Sequence, residues 1–301
     1  GDHRDLHLSL RRQRQMCIRD SLGRDDFGKK IIEQFNELEV NLDFLQSNND
    51  SSTRVVNVDR DQSGDRFFSG FEPSLHSCFA DEALSMKLIE KELLNLEKCF
   101  LRTQYLVTGT NVLSSSISAE TIFFLLEQAK KSEVKVVIDL NWREVFWDYS
   151  NFLSDTSKKG RIILIKNFLN HAHVIKLAKE EATLFFEIEN PSLISQQMSK
   201  RPDVIITDGK NPVSWHINGF QGNTKIPKSQ KIVDTTGAGD AFLAGLISQF
   251  ISFGYPKSEL EIQACVRFAS VCGLLTCHGE GAIEPQPDYE KVSKFLGSLI
   301  S

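Results

Sequence analysis

The sequence predicts an α/β fold with a mostly parallel β-sheet and helices on both faces. From about residue 100 onward, short apolar runs typical of buried strands alternate with segments whose apolar residues recur at helical spacing. The strand-like runs are 104–108, 134–138, 173–177 and 203–207, and the helix-like segments between them are 122–129, 161–169 and 178–186. Strands that alternate with helices in this way form parallel sheets through right-handed crossovers. We therefore expect one large core with its ligand site at the carboxyl ends of the strands.

The amino-terminal part of the chain is less regular. Residues 1–21 are polar and rich in arginine without a sustained period, and we interpret them as a disordered or foreign leader. Residues 22–301 are predicted to form one folded domain with a short amphipathic helix at 29–38. Two β-prone runs, 53–59 and 66–71, are separated by a polar loop that contains glycine, and they predict a hairpin.

Composition points to a small-molecule partner inside the cell. The 301 residues carry a formal net charge of -5 without long charged runs, which gives no electrostatic reason to expect nucleic acid or membrane binding. No apolar run approaches the roughly 20 residues that a membrane-spanning helix needs. The six cysteines form no Cys-x-x-Cys pair, and Cys265, Cys272 and Cys277 fall on an apolar helical stretch, where we expect them to be buried and reduced. The histidines show no metal-ligand spacing.

The most informative stretch is 234–242, Asp-Thr-Thr-Gly-Ala-Gly-Asp-Ala-Phe, which leads directly into an apolar helical segment. Its glycines favour a turn, and the first amides of the helix then have no partner within it and carry the positive end of the helix dipole. Gly237, Ala238 and Gly239 therefore form a cradle suited to a phosphate group. Asp240 is a carboxylate at the edge of that cradle, which suggests a general base. An ordinary helix start with a capping aspartate is the alternative for an isolated Gly-x-Gly.

Polar residues follow three of the predicted strands. They are Asp139, Asn141 and Arg143 after 134–138, Lys179, Glu180 and Glu181 after 173–177, and Asp208 and Gly209 after 203–207. Each group by itself is typical of a solvated loop. Because parallel strands end at one edge of the sheet, the three groups together indicate a site there.

The 234–242 stretch resembles the carboxyl-terminal signature of the ribokinase-like (PfkB) family of carbohydrate kinases, in its plant or algal fructokinase-like form. Neither a P-loop motif nor Gly-x-Gly-x-x-Gly occurs in the chain. The resemblance implies a three-layer ribokinase-like sandwich with a small β lid, to which the 53–71 hairpin would belong. It implies transfer of the γ-phosphoryl group of ATP to a hydroxymethyl oxygen of a fructose-type hexose. Asp240 would act as the base, and Gly237, Ala238 and Gly239 would hold the developing charge.

Further site residues follow from the same resemblance. Asp-x-Asn-x-Arg at 139–143 is similar to a segment of fructokinases and 2-keto-3-deoxygluconate kinases, which implies that Asn141 and Arg143 lie near the substrate, joined by Arg66 and Phe68 of the hairpin. Glu181 matches a glutamate that organises Mg²⁺ through water, although Ala178 stands where the family has asparagine. Nucleotide contacts are implied for Thr207, Gly209, Ser270 and Gly281, although Pro212 replaces a family glycine and Ser270 an asparagine. Asp234 and Thr236 are implied to lie at a K⁺ site.

One departure from the family leaves alternatives open. The sugar-holding aspartate and Gly-Gly-Asn of the family precede the turn that 23–28 resembles, and this chain has no Gly-Gly. We therefore expect nucleotide binding with poor sugar phosphorylation. The alternatives are a 2-keto-3-deoxygluconate kinase or another PfkB kinase, and a non-catalytic fructokinase-like module for protein interaction. A homodimer through the lid and a location in the cytoplasm or plastid stroma are further expectations.

Overall fold

The computed structural model describes residues 20–60, 66–72, 79–148, 158–229 and 231–299. Its strands are β1 (Ser21–Gly23), β2 (Gln46–Asn48), β3 (Val55–Arg60), β4 (Arg66–Glu72), β5 (Tyr105–Gly109), β6 (Lys135–Asp139), β7 (Val174–Ala178), β8 (Asp203–Thr207), β9 (Val213–Ile217) and β10 (Phe220–Thr224). Its α-helices are α1 (Asp26–Glu37), α2 (Met86–Lys91), α3 (Leu93–Phe100), α4 (Ser116–Lys131), α5 (Glu144–Asp148), α6 (Lys158–Leu169), α7 (Lys179–Phe186), α8 (Pro191–Gln196), α9 (Ala238–Phe253), α10 (Glu259–Thr276) and α11 (Tyr289–Ser298). Short 3₁₀ helices span Ala80–Ala83 and Asn111–Ser114.

The chain divides into two compact units. The first draws on Gly1–Thr103, Asn111–Glu133 and Arg143–Ser157, and the second on Gln104–Thr110, Val134–Trp142 and Lys158–Ser301. In the part of the chain that the structure describes, no helix is both long enough and apolar enough to cross a bilayer. The division of the sequence at residue 21 concerns residues that lie largely outside the described ranges and stays a prediction.

The first unit contains two small sheets. β1 pairs with β2 in parallel, and β3 pairs with β4 in an antiparallel hairpin with an irregularity after Asn57, which confirms the predicted hairpin. The predicted first helix begins at Asp26, a turn earlier than its apolar pattern, because the Asp25 side chain caps it by accepting from the Gly28 amide at 2.8 Å. Gly28 has to be glycine, since a Cβ there would lie 2.0 Å from the Gly23 carbonyl oxygen.

A buried arginine ties the hairpin of the first unit to its neighbours. The Arg54 side chain is 6% exposed and forms ion pairs with Asp81 and Glu82. Its guanidinium carbon also lies 4.1 Å from the ring centroid of Phe79 and 4.8 Å from that of Phe146. A planar cation can stack on rings and hold carboxylates with its edge at the same time, so arginine suits this position better than lysine.

The second unit is built on a six-stranded sheet of order β10-β9-β8-β7-β6-β5. β5, β6, β7 and β8 are parallel, and β9 and β10 continue the sheet in antiparallel pairing. β6 and β7 are buried at nearly every residue, as strands covered on both faces are. The predicted mostly parallel α/β fold is therefore confirmed.

The β9–β10 hairpin was missed in the sequence, although a signal for it exists. Alternating apolar and polar residues flank Asn218-Gly219, and both residues have left-handed φ values, 50° and 80°. This is the conformation that a two-residue turn between antiparallel strands requires. The Trp215 indole is fully buried against Gly222 and donates to the Thr224 hydroxyl at 3.0 Å.

Helices α9 and α10 pack closely on each other and on one face of the sheet. A core cluster joins residues of the inner strands with α9 and α10, including Val174, Trp215 and Phe250. Gly245 allows the close approach of the two helices, since a Cβ there would lie 2.7 Å from the Cys272 sulfur. The predicted burial of Cys265, Cys272 and Cys277 is confirmed. Each large apolar side chain buried here contributes about 1.5 to 3 kcal/mol of transfer free energy, so core packing stabilises α9.

Candidate active site

The parallel strands of the second unit end together at one edge of the sheet. Gly109 pairs with Asp139, Asp139 with Lys176, and Ala178 with Thr207. The strand ends that carry the predicted polar residues are therefore neighbours in the sheet. These residues are Asp139 and Asn141 at the end of β6, Lys179, Glu180 and Glu181 after β7, and Asp208 after β8. A salt bridge of 3.4 Å between Lys179 and Asp208 joins two of these loops.

The predicted cradle forms the start of α9. Gly237 is the residue before the helix, with φ of 75°, and a Cβ on it would lie 2.9 Å from three atoms of Ala282. Behind the first turn, a Cβ on Gly273 would lie 2.8 Å from the Ala238 carbonyl oxygen. Glycine is thus required on both sides of the turn, by its backbone conformation at one position and by close packing at the other. The Ala241 amide donates to the Gly237 carbonyl, and the Ala238 amide donates to the Thr235 carbonyl at 3.3 Å. Among the described residues, the amides of Gly239 and Asp240 therefore remain at the helix start without a backbone acceptor.

Asp240 lies in the first turn of α9 and is exposed. A carboxylate in this position is stabilised by the helix dipole and is accessible to a ligand held at the amides. Its negative charge also reaches Asp139, where it is one of the influences that raise the pKa of that carboxyl. Asp240 therefore lies in the first turn of α9 and within electrostatic range of the end of β6, and its role as a base stays a prediction.

A buried ion pair lies beneath the cradle, and sequence reasoning missed its cation. The Lys176 ammonium nitrogen is 2.9 Å and 3.1 Å from the two carboxylate oxygens of Asp139, and both side chains are less than a tenth exposed. Burial raises the pKa of Asp139 to about 6, and the Lys176 charge opposes that rise. The signal in the sequence was a lysine in the middle of the apolar run Val-Ile-Lys-Leu.

Glu181 is fixed by two backbone amides. Its Oε1 accepts from the Trp142 amide at 2.6 Å, and its Oε2 accepts from the Ala178 amide at 2.7 Å. The Asn141 backbone turns into the left-handed region, with φ of 41°, just before Trp142. The carboxylate thereby links the end of β6 to the first turn of α7. Because the Ala178 contact uses the backbone, alanine at that position does not prevent it.

Asp234 joins the segment before α9 to the loop at 279–282. One carboxylate oxygen accepts from the Thr236 amide at 2.7 Å, and the other accepts from the Gly281 amide at 3.1 Å. Burial raises the pKa of the nearby Cys277 thiol, and the Asp234 charge raises it further. Asp234 and Gly281 are thus in direct contact. The role of Asp234 and Thr236 at a cation stays a prediction.

The residues predicted to contact the nucleotide differ from one another in their surroundings. Thr207 ends β8, and Gly209 follows with φ of 52° and open space where a side chain would be. Ser270 is buried, and its hydroxyl donates to the Val266 carbonyl one turn earlier in α10 at 2.8 Å. Its hydroxyl proton is therefore already used within the helix. The predicted nucleotide contacts of these residues stay predictions.

The predicted substrate contacts of Arg143, Asn141 and Arg66 also stay predictions. Arg143 is exposed, and its carbonyl accepts from the Phe146 amide at 3.0 Å. The side chains of Arg66 and Phe68 lie outside the described residues. Within the described residues, no cluster of three or more histidine, cysteine, aspartate or glutamate side chains is arranged to hold a metal ion.

The family model and the similar proteins all indicate the same family of enzymes. Residues 20–289 match the family model described as pfkB family carbohydrate kinase. A fructokinase from Salmonella typhimurium is 25% identical over 89% of this chain and 81% of its own length. Probable fructokinase-7 from Arabidopsis thaliana is 27% identical over 93% of this chain and 78% of its own length.

Solved structures share the fold. A fructokinase from Xylella fastidiosa with bound ATP has a TM-score of 0.80 at 22% identity, with 98% of this chain and 89% of that chain covered. A fructokinase from Vibrio cholerae solved with fructose, ADP and calcium ion has a TM-score of 0.75 at 21% identity, with 96% and 89% covered. A putative ribokinase II from E. coli has a TM-score of 0.77 at 18% identity, with 97% and 87% covered. These similarities establish a ribokinase-like fold. The chain belongs to the pfkB family of carbohydrate kinases, which are phosphotransferases with an alcohol group as acceptor.

Proposed function

We propose that this chain transfers the γ-phosphoryl group of ATP to a hydroxymethyl oxygen of fructose. The observation that carries the proposal is Asp240 in the first turn of α9, where the amides of Gly239 and Asp240 have no backbone acceptor among the described residues and can bind phosphate. The names of the relatives favour fructose over 2-keto-3-deoxygluconate. Asp240 and the glycines at 237 and 239 are all present, which favours a catalytic protein over one that only binds other proteins.

The proposed reaction assigns one task to each part of the site. Asp240 accepts the proton of the sugar hydroxyl, whose oxygen forms a bond to the γ-phosphorus while the bond from that phosphorus to the leaving oxygen of ADP breaks. The amides at Gly237, Ala238 and Gly239 hold the negative charge that spreads over the transferred group. Thr207, Gly209, Ser270 and Gly281 are the proposed nucleotide contacts. Arg143, Asn141 and Arg66 are the proposed sugar contacts.

Mg²⁺ is the proposed metal cofactor, and the arrangement of Glu181 fits an indirect role. Each Glu181 oxygen accepts one amide and retains capacity for another donor, such as water bound to a metal. Mg²⁺ keeps several of its waters and is usually held by few carboxylates together with substrate phosphates, which agrees with the absence of a cluster of metal-binding side chains among the described residues. When bound, the ion would neutralise charge on the phosphates. K⁺ near Asp234 and Thr236 is a further proposal, supported by a Vibrio cholerae fructokinase variant solved with potassium ion.

The remaining expectations stay proposals of the same kind. The 22–301 segment is proposed as the kinase domain, with the β3–β4 hairpin as a lid over the sugar and as a surface for homodimer formation. The cytoplasm or the plastid stroma is the proposed location, and a relative named probable fructokinase-6, chloroplastic, supports the second.

A substrate panel with one pair of variants tests the function. ADP formation is measured with fructose, other hexoses and 2-keto-3-deoxygluconate, and fructose should give the highest kcat/KM. Asp240→Asn should lower kcat by about 10² to 10⁴-fold with little change in ATP affinity, the usual effect of losing a general base. Glu259→Gln, an exposed acid in the first turn of the next helix, is the matched control and should leave kcat unchanged. Unchanged turnover in Asp240→Asn would remove Asp240 from the mechanism, and preference for another acceptor would replace fructose.

A further inference from the structure

We propose that Lys176 is a further residue of the phosphoryl-transfer site, that its ammonium group donates to the phosphoryl group held at the cradle, and that Asp139 positions it. This inference rests on the proposed phosphoryl transfer. It concerns a buried ion pair that none of the assigned roles uses.

The position of Lys176 is set by the sheet. It is the third residue of β7 and is 7% exposed, with apolar strand residues on either side. Its register partner in β6 is Asp139, so the two side chains meet at the edge of the sheet where the strands end. Their contact uses both carboxylate oxygens, which fixes the ammonium nitrogen in one place.

The same nitrogen lies directly behind the cradle. A Cβ added to Gly239 would be 2.9 Å from the Lys176 nitrogen, and that nitrogen is the nearest heavy atom such a Cβ would meet. Glycine at 239 therefore leaves the ammonium group uncovered on the side of the helix start. A larger residue would stand between the ammonium and any anion held by the amides of Gly239 and Asp240.

The ammonium group has a donor to spare. A lysine ammonium carries three protons. Two of them are directed to Asp139, and among the described residues no acceptor takes the third. A buried charge is costly to desolvate and gains from each further hydrogen bond, so an incoming phosphoryl oxygen is a suitable acceptor.

Several negative charges lie near Lys176, and its positive charge can offset their effect on a bound phosphoryl group. Burial is the main cause of the raised pKa of Asp139, and the nearby charges of Glu181 and Asp240 raise that pKa further. Three acids near a transferring phosphoryl group would repel it. Lys176 offsets that repulsion at the point nearest the cradle while Asp240 remains available to take a proton.

The competing interpretation is an ion pair that only stabilises the sheet. Removing one partner of a buried pair usually destabilises a protein, whereas replacing both partners with uncharged residues of similar size is often tolerated. The double variant Lys176→Met/Asp139→Asn therefore separates the two interpretations. Lys135→Met is the matched control, since Lys135 begins β6 at the opposite end of the sheet and contacts the Tyr255 ring.

The test compares folding, binding and turnover in wild type, the single Lys176→Met variant, the double variant and the control. In the double variant, we expect cooperative thermal unfolding close to that of wild type, unchanged KM for the sugar, and a fall in kcat of about 10² to 10³-fold, as for loss of one donor to a transition-state charge. The control should keep its kcat. A double variant that folds and turns over at the wild-type rate would overturn the proposal.

A binding measurement keeps this result separate from the choice of sugar. Calorimetry gives the ratio of the affinities for a non-hydrolysable ATP analogue and for ADP, which reports contacts to the γ-phosphate. We expect this ratio to fall about tenfold in the double variant, the effect of one lost hydrogen bond to a charged group. An unchanged ratio would contradict a contact between Lys176 and the γ-phosphate. If wild type phosphorylates no hexose but the ratio falls, the proposed function fails and the role of Lys176 as a phosphate contact stands.

Discussion

Replacing Glu181 with alanine should destabilise the fold by a calculable amount. The carboxylate is buried and accepts two short hydrogen bonds, at 2.6 Å and 2.7 Å, from the amides of Trp142 and Ala178. A hydrogen bond to a charged group contributes about 1.5 to 3 kcal/mol, and the amides left behind would be unpaired, so the loss is roughly 3 to 5 kcal/mol. Glu181→Gln keeps one acceptor oxygen and should cost about half as much.

Urea and thermal unfolding at pH 7 measure this effect. For domains of 150 to 250 residues, about 1 kcal/mol corresponds to a Tm shift of roughly 2 to 4 °C, so Glu181→Ala should lower Tm by roughly 10 °C. Glu180→Ala is the matched control, since Glu180 is exposed in the same first turn and contributes only its interaction with the helix dipole, about 0.3 to 1 kcal/mol. Equal stability of the two alanine variants would refute the view that Glu181 links β6 to α7.

Three further predictions concern other parts of the molecule. Arg143→Lys should lower kcat/KM by roughly tenfold or more if the guanidinium binds substrate or phosphate, and steady-state kinetics that match wild type in both sugar and ATP would contradict this. Arg54→Leu should reduce the free energy of unfolding by about 3 to 5 kcal/mol, because it leaves Asp81 and Glu82 without their buried cation. Urea denaturation measures this loss, and a loss below about 1 kcal/mol would contradict the prediction. The raised pKa of Asp139, about 6, means that the folded protein retains a proton that the unfolded chain releases near pH 4, so stability from this group falls as pH rises through that window. Asp139→Asn should flatten that slope in urea midpoints measured across pH 4 to 6, and an unchanged slope would assign the proton to another group.

The parallel part of the fold could be predicted because its strands are buried on both faces. Such strands appear in the sequence as unbroken apolar runs, and all four predicted runs became strands. The boundaries of three runs moved by one residue toward the carboxyl end, since the pairing extends to Gly109, Asp139 and Ala178, which the predicted runs did not include. The β9–β10 hairpin is harder to predict because its outer face is polar, so that Asn218-Gly219 is the main signal for its turn.

The candidate site could be proposed from the sequence where its residues are contiguous. Gly237 to Asp240 form one turn of chain, and a turn of this kind is encoded locally. Lys176 has its partner 37 residues away at Asp139, through the register of the sheet, and its other neighbour at Gly239, through the packing of α9. A lysine within an apolar strand was the one local sign of this arrangement, and it identifies neither partner.

The close packing of α9 against α10 has a consequence for motion at the site. Eight residues of α9 are buried, among them Ala241 and Phe242 directly after the cradle, and Gly245 holds the helix against Cys272. Unwinding the first turn would therefore disturb the main core of the second unit. Amides just inside α9 should exchange with solvent deuterium mainly through global opening of that unit, whereas those of the β3–β4 hairpin should exchange through local fluctuations. The proposed phosphate site should therefore lie on a rigid support, and its geometry should be the same before and after a nucleotide binds.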